Sequence, residues 1–217
     1  MDTGSTPPLP RIAVLDYQAG NLHSVQRALD KAGGAAYITA DRAEADTADA
    51  LVVPGVGHYG QCVGQLMDAG LQPLVAEWVA AGRPVLGICV GMQILYPSSE
   101  EAPGVQGLGL LPGTVRRLPD RVVVPHMGWD QVRVIDHDEP LLAGLDGLRT
   151  YFANSYYADP ADAGHVQAVC DYGPGFPCVV RTGSVIGMQF HPEKSAEVGA
   201  RLLRNFVGTL AAPVTTP

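Results

Sequence analysis

Pro84-Val85-Leu86-Gly87-Ile88-Cys89-Val90-Gly91-Met92-Gln93 is the stretch that most limits what this chain can fold into. A short β-rich apolar run, as expected for a buried parallel strand, ends at a cysteine held between two glycines. Val90, Met92, Gln93, Ile94 and Leu95 can then start a helix. Gly87-Ile88-Cys89-Val90-Gly91 therefore reads as the thiol form of a strand-turn-helix nucleophile elbow. Glycines on either side allow a sharp turn, and the helix N-terminus under the sulfur favours thiolate. A buried core cysteine between two unrelated glycines gives the same five residues, so the rest of the chain has to decide.

Composition narrows the class. With 217 residues, 47% hydrophobic and 17% charged, the chain suits one large α/β domain. A net charge of −8, and no basic cluster larger than Arg116-Arg117, speaks against nucleic acid or an anionic membrane surface as partner. Cys62, Cys89, Cys170 and Cys178 form no C-x-x-C and have no histidines at ligand spacing, so neither zinc nor a disulfide framework is expected. Reduced thiols and a cytoplasmic location follow as the expectation. Residues 1–10 read as a disordered tail, not a signal peptide, and 212–217 as a C-terminal tail, leaving a domain over 11–211. No apolar run reaches transmembrane length.

Along the chain, Arg11–Asp16, Tyr37–Thr39 and Ala50–Val53 read as strands, separated by a helix at Leu22, Val25, Ala28 and Leu29 and by an acidic connector from Asp41 to Asp49. This β-α-β spacing predicts parallel strands with right-handed crossovers. Pro54-Gly55-Val56-Gly57-His58-Tyr59-Gly60 is a glycine-rich turn that lacks the P-loop and dinucleotide spacings; a plain turn and a source of backbone N–H donors both fit it. Helices over Tyr59–Ala69 and Leu71–Ala81 follow, with Trp78 expected in the core. The second half is punctuated by Gly and Pro. Strands are expected at Thr114–Leu118, Val122–Val124, Gln131–Ile135, Thr150–Tyr157, Val166–Tyr172, Cys178–Arg181 and Val185–Phe190, and a last helix over Ser195–Leu210, with Ser195 as N-cap.

A cysteine nucleophile needs a base, and the base needs an acceptor to orient it. Among six histidines, His191 has the most telling setting, Gln189-Phe190-His191-Pro192-Glu193-Lys194. Pro192 biases His191 to extended geometry, which puts His191 and Glu193 on one face. A carboxylate there fixes the imidazole tautomer and stabilises the imidazolium. A strand-ending turn before a capped helix is the plainer reading of His-Pro-Glu. The cysteine elbow and the glycine-rich turn in the same chain favour the catalytic one.

Leu86–Gln93 together with Met188–Ser195 resembles the triad (class I) glutamine amidotransferases, which hydrolyse the glutamine side-chain amide and pass ammonia to a synthase. Asp16-Tyr17, Gly20-Asn21-Leu22, Pro54–Gly57, Pro125-His126-Met127-Gly128-Trp129, Tyr151-Phe152 and Ser155-Tyr156, with Tyr172-Gly173 and Phe176, narrow the resemblance to the glutaminase subunits of imidazole glycerol phosphate synthase, in histidine biosynthesis. It covers nearly the whole chain. It implies an open, largely parallel, flavodoxin-like sheet flanked by helices and extended by antiparallel strands.

The resemblance further implies Cys89 as nucleophile, His191 as acid/base and Glu193 as orienting carboxylate. Val90 would donate one oxyanion hydrogen bond, and Val56 and Gly57 belong to a strand whose second donor forms only after a peptide turns over. Gln93, Glu101 and Gly55 would face substrate; Asn21, Trp129, Tyr151 and Lys194 would face a separate cyclase subunit in a heterodimer. No cofactor or metal is implied. Asp130 stands where asparagine is usual and Asn154 where histidine is usual; both bear on partner contacts and activation, not on the triad. Two rivals remain: another triad glutaminase (of pyridoxal phosphate synthase or γ-glutamyl hydrolase type) and a silent regulatory module on the same fold.

Overall fold

A computed structural model of the chain describes residues 8–211. Of the tails expected at 1–10 and 212–217, residues 1–7 and 212–217 lie outside the described residues. Pro10 is already tied in, its carbonyl accepting from the Ala35 N–H at 2.8 Å.

The first half alternates strand and helix: β1 (Arg11–Leu15), α1 (Leu22–Lys31), β2 (Ala35–Thr39), the single turn α2 (Arg42–Ala45), β3 (Ala50–Gly55), α3 (Tyr59–Asp68), α4 (Gln72–Ala80), β4 (Val85–Cys89) and the single turn α5 (Val90–Gln93). The second half is mostly strand: β5 (Gly113–Arg117), β6 (His126–Val134), β7 (Arg149–Asn154), β8 (Tyr156–Pro160), β9 (Val166–Cys170), β10 (Phe176–Thr182) and β11 (Val185–Met188), closed by α6 (Ala196–Ala211).

A nine-stranded sheet runs in the order β2-β1-β3-β4-β11-β10-β9-β6-β7. From β2 to β11 all neighbours are parallel; from β11 to β7 all are antiparallel. β5 and β8 pair separately. The parallel part has the strand order of a flavodoxin-like doubly wound sheet, with β11 supplied from the far end of the chain. Its strands read as unbroken apolar runs because both faces are covered: β3 and β4 are buried at every position. Trp78 is 1% exposed, as expected, with its Nε1–H donating to Asp46 Oδ1 at 3.0 Å.

Several boundaries differ from the sequence expectation. β3 continues through Pro54 and Gly55, pairing Gly55 with Cys89, so the first two residues of the glycine-rich turn are strand. Proline is tolerated there because the ladder with β1 ends at Val52, so β3 is an edge on that side at Pro54. Val122–Val124 form no strand, and β6 instead begins at His126, five residues before the strand start expected at Gln131. Thr150–Tyr157 is split at Ser155 into β7 and β8, which belong to different sheets. The acidic connector contains α2, capped by Asp41 accepting from Glu44 N–H. Among the described residues no helix is long and apolar enough to cross a membrane.

Candidate active site

Parallel strands end side by side, so the segments after β3, β4 and β11 meet at one edge of the sheet. Cys89 closes β4 with φ 55° and ψ −118°, a backbone conformation that residues with a side chain seldom adopt. Close packing holds it there. A Cβ on Gly91 would lie 2.7 Å from the Val53 carbonyl carbon and 2.8 Å from that of Pro54, and one on Gly55 would lie 2.7 Å from the Val90 carbonyl carbon. The two glycines thus let β3 and the turn after Cys89 touch backbone to backbone. The helix after the cysteine is only α5, one turn long.

The strand after Gly55 is held by side chains on both sides of its central peptide. Tyr17 Oη donates to the Pro54 carbonyl, and Cys62 Sγ donates to the Val56 carbonyl at 3.4 Å. Burial pushes the Cys62 thiol up to about 11, which keeps it a donor. Gly57 has φ 88°, which only glycine adopts easily.

His191 follows β11 and is 3% exposed. Its Nδ1 lies 2.8 Å from Glu193 Oε1, which fixes the proton on Nδ1 and leaves Nε2 for the sulfur. The pairing does not come from an extended chain: His191 is extended, but Pro192–Lys194 form a 3₁₀ turn that brings the carboxylate under the ring. Two further residues fix this loop. Asn21 Nδ2 donates to the same Glu193 oxygen at 2.5 Å. Ser195 Oγ donates to the His191 carbonyl at 2.6 Å and accepts from Tyr151 N–H at 2.9 Å, so this hydroxyl holds the histidine loop against β7. Sequence reasoning placed Asn21 only at a partner surface and Ser195 only as a cap. The Asn21 bond spans 172 residues and left no local signal.

Burial opposes charge on the His191 ring, yet hydrogen bonds to the Cys89 sulfur and the Glu193 carboxylate outweigh it and lift the imidazolium to about 10, from an ordinary value of 6.5. The folded value lies above the unfolded one. The stabilisation is therefore complete below pH 6.5 and is lost as pH rises through about 10. A Glu193→Gln variant should titrate His191 at lower pH, as read by imidazole NMR, and should lose less stability than wild type over that interval. An unchanged midpoint would remove Glu193 from this role.

Cys89, Val90, His191, Val56, Gly57, Gln93, Glu101 and Lys194 line one cavity of ≈ 290 Å³, with Pro125 and residues 153–156. That volume is near the lower end for small-ligand sites. Glu101 also accepts from Tyr59 N–H at 2.7 Å, at the start of α3. Gly55 sits behind this wall, packed on Gly91, so its contribution is to the backbone contact and not to the lining. Asn154 Oδ1 is buried without a partner among the described residues, while its Nδ2 donates to the Tyr156 carbonyl at 3.1 Å. Lys194 Nζ lies 5.9 Å from the centre of the Tyr151 ring, and that ring meets Trp129 edge-on at 6.2 Å. Trp129 is 46% exposed, and Met127, two residues before it on β6, is exposed as well.

Elsewhere, donor atoms of His126, Asp130 and Cys170 lie within 4.8 Å of one another and could hold a metal ion. Burial pushes the Cys170 thiol up to about 12 and the His126 imidazole below its ordinary value. Both therefore favour their neutral forms.

Residues 13–210 match the glutamine amidotransferase class-I family. Subunit HisH of imidazole glycerol phosphate synthase from Halobacterium salinarum is 47% identical over 206 residues, covering 90% of this chain and 92% of that protein. The chain belongs to the HisH family of class I glutamine amidotransferases. The Methanothermobacter thermautotrophicus HisH subunit is 43% identical over 201 residues, covering 93% of this chain and 100% of that one. The fold agrees: a chain of PurLQS from Thermotoga maritima superposes with TM-score 0.75 at 20% identity, covering 94% of this chain and 100% of that one. A solved glutamine amidotransferase gives TM-score 0.74 at 23% identity, covering 93% of this chain and 99% of that one. These HisH relatives are named as subunits of imidazole glycerol phosphate synthase, which implies a partner subunit for them.

Proposed function

We propose that residues 11–211 act as one cytoplasmic glutaminase unit in which Cys89, His191 and Glu193 hydrolyse glutamine and ammonia passes to a cyclase subunit. The observation that carries this reading is the convergence of Cys89 and His191 on one cavity, with Glu193 bonded behind the ring. Cys89 thiolate attacks the side-chain amide carbon of glutamine and a tetrahedral oxyanion forms. His191 gives its proton to the departing nitrogen, which leaves as ammonia. Water, deprotonated by His191, then attacks the γ-glutamyl thioester and releases glutamate. Glu193 keeps the ring in the tautomer both steps need.

Val90 N–H, at the start of α5, is positioned to donate to the oxyanion. The second donor comes from Val56 N–H once the Gly55–Val56 peptide, between the carbonyls held by Tyr17 and Cys62, turns, or from Gly57 N–H once the next peptide turns and releases its carbonyl from Cys62. Gln93 and Glu101 line the space for the substrate. Until that peptide turns, one donor worth about 2.7–4 kcal/mol of barrier is missing.

The row Lys194, Tyr151 and Trp129 leads from the cavity rim to Met127, two residues from Trp129 on β6 and exposed as it is. A partner seated there reaches the site, and Asn21 reaches it through Glu193. The cyclase in turn uses the ammonia to form imidazole glycerol phosphate and an aminoimidazole carboxamide ribotide. The test is glutamate release by the purified chain, alone and with the cyclase subunit and its nucleotide ligand. Turnover should rise about 100-fold or more in the complex, and Trp129→Ala with Lys194→Ala should reduce that rise while leaving slow basal turnover in place. Full activity in the isolated chain would refute the gating.

A further inference from the structure

Gln189 is fully buried, stands two residues before His191, and takes no part in the steps above. We propose that it is a positioning residue that orients Gln93 and supplies a hydrogen-bond donor to the Cys89 sulfur. The proposal rests on Cys89 being the nucleophile.

The direction of the whole relay is set by one backbone carbonyl. The Tyr156 carbonyl can only accept, and Gln93 Nε2 lies 3.0 Å from it, so the NH₂ end of the Gln93 amide points there. The same Nε2 lies 2.9 Å from Gln189 Oε1. Both hydrogens of that NH₂ are thereby committed. Gln189, having presented its oxygen to Gln93, is left with its own NH₂ 3.7 Å from Cys89 Sγ. A thiolate accepts and cannot donate, so this orientation favours the charged sulfur. A reversed Gln189 amide would instead face Gln93 with a donor against a donor, and Cys89 with an oxygen against a sulfur anion.

Two consequences follow. Gln93 offers the cavity only its carbonyl oxygen, so it selects a ligand carrying an N–H at that point, as a primary amide does. Gln189 couples that selection to the nucleophile, because a single side chain holds both.

The test is the pH profile of iodoacetamide alkylation at Cys89 in the full chain, followed at that cysteine by mass spectrometry, for wild type and Gln189→Met. The apolar side chain should shift the profile upward by about one pH unit, equivalent to alkylation about tenfold slower on the acid side of its midpoint. In the assembled enzyme kcat/KM for glutamine should fall at neutral pH and recover towards higher pH. Gln189→Leu serves as the second variant if the methionine does not fold. A wild-type alkylation profile in the folded variant overturns the proposal, since a merely structural role moves stability and leaves the profile in place. Alkylation of wild-type Cys89 that spares glutamine turnover overturns the nucleophile assignment instead, a separate failure.

Discussion

Replacing Cys89 by alanine is expected to reduce glutamine hydrolysis by the assembled enzyme by a factor on the order of 10⁴ or more. The change removes only Sγ. The backbone at Cys89 keeps its positive φ because Gly55 and Gly91 hold it, and those contacts involve no cysteine side-chain atom. The variant should therefore fold, bind the cyclase subunit and unfold at nearly the wild-type temperature, which separates lost chemistry from lost structure. Glutamate release gives the first measurement and thermal unfolding the second. Synthesis driven by free ammonia should survive, because the cyclase does not need the thiol. A variant that kept full glutamine-dependent synthesis would rule out Cys89 as nucleophile and revive the reading of the chain as a silent module.

The second large effect is structural. Gly91→Ala should destabilise the chain by about 3 kcal/mol, equivalent to a fall in Tm of roughly 10 °C for a domain of this size. Glutamine turnover should be lost with it. The added methyl would strike the Val53 and Pro54 carbonyl groups, which are backbone and cannot rotate away. Relief would mean separating β3 from β4, whose register runs from Leu51 against Val85 to Gly55 against Cys89. Gly64→Ala is the control: it lies within α3, and a Cβ there meets nothing within 4 Å. That variant should gain about 0.5–1 kcal/mol from helix propensity and from a less flexible unfolded chain. Equal melting temperatures for the two variants would show that the close approach at Gly91 carries no load.

The contrast between these glycines bears on how far the sequence could be read. Both look alike in the chain, each preceded by a valine. Only Gly91 lies against another segment's peptide, and that segment is the one starting at Pro54. The glycine-rich turn could be read as a plain turn or as a source of backbone donors, but its first two residues are strand, because pairing with β4 outweighs the local preference of Pro-Gly for a turn. Thr150–Tyr157 has one continuous strand-like pattern. It divides at Ser155 because its two ends pair in different sheets, β7 with β6 and β8 with β5. Val122–Val124 has strand composition but no strand in the structure. β-propensity reports fit to a pleated surface and cannot supply the neighbour.

The site divides the same way. Cys89, His191 and Glu193 could be singled out as candidates from sequence because each sits in a short motif: an elbow between glycines, and a histidine followed two residues later by a carboxylate. The orienting contacts of Asn21, Ser195 and Gln189 could not, although each holds one of those three groups or its loop. Their partners are set by tertiary packing. Asn21 reaches Glu193 because α1 packs beside α6 and the turn before it. Gln189 reaches Cys89 because β11, from the end of the chain, pairs in parallel with β4. The sequence by itself determined the chemistry this chain can perform, since reactive groups are encoded by residue type and short spacing. Only the tertiary structure decided what orients them, because a hydrogen bond between residues a hundred or more positions apart depends on how strands and helices are ordered in space.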